Sequence, residues 1–131
     1  MLAHRLTVAL SLALLTACAQ KPSSVTLEQN QQNKCPLSLH VGQQFILRLP
    51  SNPTTGFRWL LRDSAPQVLK SLGPEVYSNP EDAGLVGSGG VSTWRFEVIQ
   101  AGEGQVALTY ERPWEVGVVP AQRFSCIIRA K

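Results

Sequence analysis

From Leu37 onward, apolar and polar residues alternate in short runs separated by turn-forming residues. Leu37, Leu39 and Val41 share one face, with Ser38 and His40 opposite. Beyond Gly42 the period continues through Phe45, Leu47 and Leu49, then through Phe57, Trp59 and Leu61 against Arg58 and Arg62. Val68 to Tyr77 reads as a strand or an irregular stretch. Trp94, Phe96 and Val98 alternate with Arg95 and Glu97. Val106, Leu108 and Tyr110 follow a Gly102-Glu103-Gly104 turn, and Phe124, Cys126 and Ile128 close the series. Period two over four to seven residues, bounded by turn signals, predicts half-buried strands. No amphipathic helix of ten residues or more stands out after the leader. About seven strands in roughly 95 residues, with no strand–helix–strand rhythm, predict an all-β sandwich of one domain.

If neighbouring strands run antiparallel, alternate connections emerge at the same end. Pro50 to Gly56, Ser78 to Gly90 and Arg112 to Gln122 are three such connections. Each holds a distinctive segment. In Asn52-Pro53-Thr54-Thr55-Gly56-Phe57, Pro fixes φ, Asn favours turn initiation and Gly56 permits a positive φ. The β-branched Thr54 and Thr55 then sit at a stiff tip. Gly87-Ser88-Gly89-Gly90 lets a partner approach the backbone closely; no Lys-Ser/Thr follows, so it is not a phosphate-binding loop. Arg112-Pro113-Trp114 puts an indole on a braced turn. Trp114 either packs inward or stands out as an interface anchor. Trp59 and Trp94 are in phase with the core and read as packing.

Residues 1–17 read as an export leader. Arg5 supplies a basic start, and Leu6 to Leu15 form an apolar run too short to span a bilayer, which takes about 20 residues. Leu15-Thr16-Ala17-Cys18 resembles a bacterial lipobox, so Cys18 is the candidate lipidation site. Ala19 rather than Asp after the Cys resembles lipoproteins sorted to the periplasm-facing outer membrane of Gram-negative bacteria. Residues 18–34, rich in Gln and Asn, read as a lipidated Cys and a polar tether, with a short strand at Val25 to Leu27 as the alternative. Residues 35–131 are the domain. The remaining Cys35 and Cys126 form an even pair in an exported chain, which suggests a disulfide joining the ends of the domain. Loss of Arg5 with the leader leaves 11 basic against nine acidic residues, dispersed and without runs. That excludes a nucleic-acid footprint.

Catalysis is poorly supplied. His40 is the one histidine after the leader and lies mid-strand with no activating partner. His40 and two paired cysteines fall short of a zinc site. No cofactor and no catalytic residue is expected, and the domain is expected to be monomeric.

The three segments, in order and spacing, resemble the chagasin family of cysteine-peptidase inhibitors. Val41-Gly42, Leu49-Pro50-Ser51, Leu108-Thr109-Tyr110 and Arg123-Phe124 are similar as well, so the resemblance covers about residues 37–130. It implies an immunoglobulin-like, Greek-key sandwich and tight, reversible inhibition of papain-like cysteine peptidases. The peptidase-binding residues would be Asn52, Pro53, Thr54, Thr55, Gly56 and Phe57 in the cleft; Gly87, Ser88, Gly89 and Gly90 along a substrate-side strand; and Arg112, Pro113 and Trp114 on the opposite wall. The leader and the Cys35/Cys126 pair depart from the basic family pattern without touching these loops. The alternative is an envelope lipoprotein that binds another partner, such as a lysozyme or an assembly component.

Overall fold

The computed structural model of the protein describes residues 21–79 and 89–131. Among these, nine strands form two sheets. They are β1 (Ser24–Glu28), β2 (Leu37–Leu39), β3 (Gln44–Ser51), β4 (Arg58–Ser64), β5 (Leu69–Ser71), β6 (Val76–Ser78), β7 (Gly90–Val98), β8 (Gly102–Glu111) and β9 (Gln122–Ala130). One sheet runs β1-β3-β7-β5, with β6 also paired to β7; the other runs β2-β9-β8-β4.

The alternation dictates which side chains meet. Phe45, Leu47 and Leu49 of β3, and Trp94, Phe96 and Val98 of β7, face Val106, Leu108, Phe124, Cys126 and Ile128 across the sandwich, and all are buried. Phe45 lies opposite Phe96 in register, with ring centroids 6.0 Å apart. A side chain of this size contributes roughly 1.5–3 kcal/mol on burial, so this layer carries most of the stability. The Cys35–Cys126 disulfide is formed, with Cα atoms 5.4 Å apart. It encloses a long loop, worth on the order of 4–5 kcal/mol in the chain-entropy account.

Four expectations need correction. Residues 24–34, read from composition as tether, belong to the sandwich. Val25 and Leu27 point inward, β1 adds in parallel to the edge of β3, and Gln29–Lys34 form a 3₁₀ turn. The strand read as the alternative at Val25 to Leu27 is the one formed, and the Gln-rich stretch after it stays on the domain because Gln29 bonds to Gln122 Oε1 and Gln32 Oε1 accepts from the Ser125 amide. Val41 is exposed, since β2 ends at Leu39 and no opposing sheet covers the turn that follows. Leu61 is exposed because the register of edge strand β4 shifts between Leu61 and Asp63, and the inward–outward rhythm breaks there. The Val68 to Tyr77 stretch is two strands. Both run antiparallel to β7, so both point the same way and the direction parity survives.

Candidate functional site

The β3–β4, β6–β7 and β8–β9 connections leave the sandwich at one end, as direction parity requires. The β3–β4 loop is a single turn of 3₁₀ helix at Pro53–Thr55. Asn52 O accepts from the Thr55 amide at 3.2 Å, and Pro53 O accepts from the Gly56 amide at 3.0 Å. Gly56 leaves the turn at φ +84°, a left-handed conformation costly for any other residue. The two tip residues, Thr54 and Thr55, are exposed, yet their hydroxyls are tied back: Thr54 Oγ1 donates to Asn52 Oδ1 at 2.5 Å and Thr55 Oγ1 to Asn52 O at 2.7 Å.

Core aromatics fix the base of this loop. Trp59 Nε1 donates to Pro50 O at 2.9 Å, and the Asn52 amide donates to the Tyr110 hydroxyl at 3.0 Å. Tyr110 stacks on Phe57, with ring centroids 5.2 Å apart, and meets Trp59 at a tilt, with centroids 4.8 Å apart. One polar atom of each buried aromatic therefore sets the position of a loop that lies outside the core.

Arg112 joins the third segment to the first. Its Nε donates to Thr55 O at 3.0 Å, its guanidinium lies 4.4 Å from the centroid of the Phe57 ring, and Nη1 pairs with Glu115 Oε1 at 3.1 Å. Trp114 stands out, 67% exposed, resolving the two readings of its direction. Its ring edge covers Gly56 so closely that a β-carbon there would collide with Cη2. Glycine is thus needed twice at this position, for its φ and for the space the indole occupies.

Of the second segment, Gly87 and Ser88 lie outside the described residues. Gly89 sits beside the first loop: a β-carbon on it would stand 3.4 Å from Ser51 O and 3.7 Å from Asn52 Cβ. Gly90 pairs with Ser51 in the β3–β7 register. Asn52 to Phe57, Gly89, Gly90 and Arg112 to Trp114 therefore form one continuous edge. The sequence reading missed its continuation: Val116, Val118 and Val119 are exposed in the same β8–β9 loop. Three valines in a connection, where strand periodicity has no claim on them, were the available signal.

His40 lies at the opposite end, its amide bonded to Gln43 Oε1 at 2.7 Å. Among the described residues no group of three or more His, Cys, Asp or Glu side chains could hold a metal ion. This is the form of a binding protein: a two-sheet scaffold presenting a rigid composite edge.

The comparisons with known proteins specify which. The sequence pattern of the chagasin family, described as "Chagasin family peptidase inhibitor I42", matches residues 38–128. Chagasin of Trypanosoma cruzi is 33% identical over 102 residues, covering 75% of this chain and 91% of that protein. Amoebiasin-1 of Entamoeba histolytica is 30% identical over 82 residues, 63% of this chain and 78% of that one. A crystal structure of a cysteine protease inhibitor from Entamoeba histolytica shares the fold with a TM-score of 0.68 at 20% identity, over 82% of this chain and 96% of its own. The chain belongs to the chagasin family of peptidase inhibitors; it is an inhibitor and not an enzyme.

Proposed function

We propose that the protein inhibits papain-like cysteine peptidases reversibly, by inserting the three-segment edge into the active-site cleft. The observation that carries this reading is the Arg112–Thr55 bond with Trp114 seated on Gly56, which makes two loops one stiff piece. Such a piece loses little conformational entropy on binding. Thr54 and Thr55 lead into the cleft, Gly87 to Gly90 lie along one wall, and Trp114 packs on the other. An interface of this kind buries about 1,600 Å² in total.

The geometry also accounts for survival in the cleft. Cleavage needs an extended segment whose scissile carbonyl settles among the oxyanion donors beside the thiolate. At the tip, Asn52 O and Pro53 O are held by turn amides, and Thr55 O by Arg112. Presenting the carbonyl of Asn52, Pro53 or Thr55 in an extended segment would break the bond that holds it. Titrating papain with the mature chain tests the reading. Stoichiometric, competitive loss of activity is expected; no effect on several papain-like enzymes would reject it.

We further propose that residues 1–17 direct export and that Cys18 carries a lipid anchoring the protein to the periplasm-facing outer membrane. One feature of the fold supports this. β1 runs parallel to β3, with Ser24 beside Gln44, so the chain enters the sandwich at the pole away from the three loops. An anchor there would hold the binding edge roughly 25 Å out, the length of an eight-residue strand. Cys18→Ala should move the protein from the membrane to the soluble fraction; unchanged fractionation and no incorporated fatty acid would remove the anchor.

A further inference from the structure

Among the described residues, exposed large apolar side chains are densest on the β8–β9 loop. Four of eleven fall within the six residues Trp114 to Val119, with Val116 93%, Val118 57% and Val119 77% exposed. Contiguous exposed apolar groups of this kind mark interaction surfaces. The loop is held at both ends: the Glu115 amide donates to Arg112 O at 3.0 Å and the Ala121 amide to Tyr110 O at 2.8 Å. The valines are β-branched and stiff, so they are presented in place. Behind them, Val118, Val119, Phe57 and Ala121 line a pocket of about 200 Å³ with Arg112, Glu111 and Glu115 also on its wall. That is room for one apolar side chain against Phe57, Val118, Val119 and Ala121, since the charged groups on the wall already have partners, Arg112 with Glu115 and Glu111 with Arg62.

We propose that Val116, Val118 and Val119 are a specificity shoulder. They extend the Trp114 contact onto an apolar patch of the peptidase beyond the cleft, and the pocket beside Phe57 receives one of its aliphatic or aromatic side chains. This rests on the inhibitor reading above. The occupant is the peptidase rather than a bilayer or a second copy, because the valines continue the same loop as Trp114. They also lie at the pole opposite Ser24, where the chain enters the sandwich. The cleft is common to papain-like enzymes, whereas surfaces outside it differ, so the shoulder sets which of them is bound tightest.

The test is the double variant Val116→Ser, Val119→Ser, at the two most exposed positions, where folding does not depend on the side chain. Inhibition constants are measured against a panel of papain-like peptidases with wild type, the double variant and Trp114→Ala. The double variant should bind its best target about tenfold more weakly, through faster dissociation, and lose less against enzymes that wild type inhibits poorly. Unchanged constants for every enzyme that wild type inhibits would overturn the proposal. So would unchanged constants together with loss of vesicle binding or of self-association in the double variant, which would assign the valines to a membrane or a second copy. Wild type that inhibits no member of the panel sinks the inhibitor reading itself, a result distinct from the others.

Discussion

The two poles of the sandwich are held by different means. At the pole where the chain enters, main-chain bonds join one segment to another. The Val41 amide donates to Lys131 O, Gly42 to Val98 O, Val98 to Gln43 O, Ile99 to Val68 O and Lys131 to Leu39 O, at 2.8–3.0 Å. At the loop pole, beyond the strand ladders that pair Ser51 with Gly90 and Arg58 with Glu111, the main-chain bonds of the described residues stay within each turn or hairpin, and the added links run through the side chains of Trp59, Tyr110 and Arg112. A bond between backbones survives almost any substitution. A bond through one side chain exists only while that residue does. Structure at the first pole is therefore robust, and geometry at the second is specified residue by residue.

The largest expected effect that sharpens this contrast is at Trp114. Trp114→Ala should weaken inhibition by at least about 2 kcal/mol, roughly thirtyfold, while the melting temperature stays put. A constant that does not move would take the indole out of the contact. Gly56→Ala comes next: a left-handed alanine costs about 1–2 kcal/mol, and its methyl displaces Trp114. Denaturant unfolding and inhibition should both suffer, and loss of stability alone would show that the loop adjusts around the indole.

A matched pair breaks or keeps the comparison most directly. Tyr110→Phe at the loop pole and Gln43→Ala at the other each remove side-chain hydrogen bonds, to the Asn52 amide and to the His40 amide and Pro22 O respectively. Each should cost about 1 kcal/mol of stability. Only Tyr110→Phe should raise the inhibition constant; equal effects would mean the poles are not functionally separate. The smallest effect is expected at Arg62, whose pairing with Glu111 at 2.8 Å is solvent-exposed. Arg62→Ala should change stability by less than about 0.5 kcal/mol and leave inhibition alone.

Much of the body was readable from period-two alternation, because burial against an opposing sheet selects every second residue. Phe45, Leu47, Leu49, Trp59, Trp94, Phe96 and Phe124 all lie where that rhythm puts them. Alternation specifies a face and not a partner, so it did not reveal that β1 joins β3 in parallel, nor that β4 shifts register at Leu61. At the loop pole, Pro53, Gly56 and Pro113 announced turns through backbone chemistry. The convergence of two loops through Arg112 was not legible, since an arginine's reach across a fold leaves no trace in local pattern. Val116 to Val119 escaped for a related reason: alternation is read within strands and says nothing of valines in a connection.

The disulfide has a consequence for an inhibitor that lives in contact with a blade. Asn52 to Phe57, Gly87 to Gly90 and Arg112 to Trp114 all fall between Cys35 and Cys126 along the chain. A single cut in any of them would yield two fragments still covalently tied and still knitted by their sheets. The severed ends would stay neighbours, the nicked molecule would keep its shape, and a mistaken bite need not end its service.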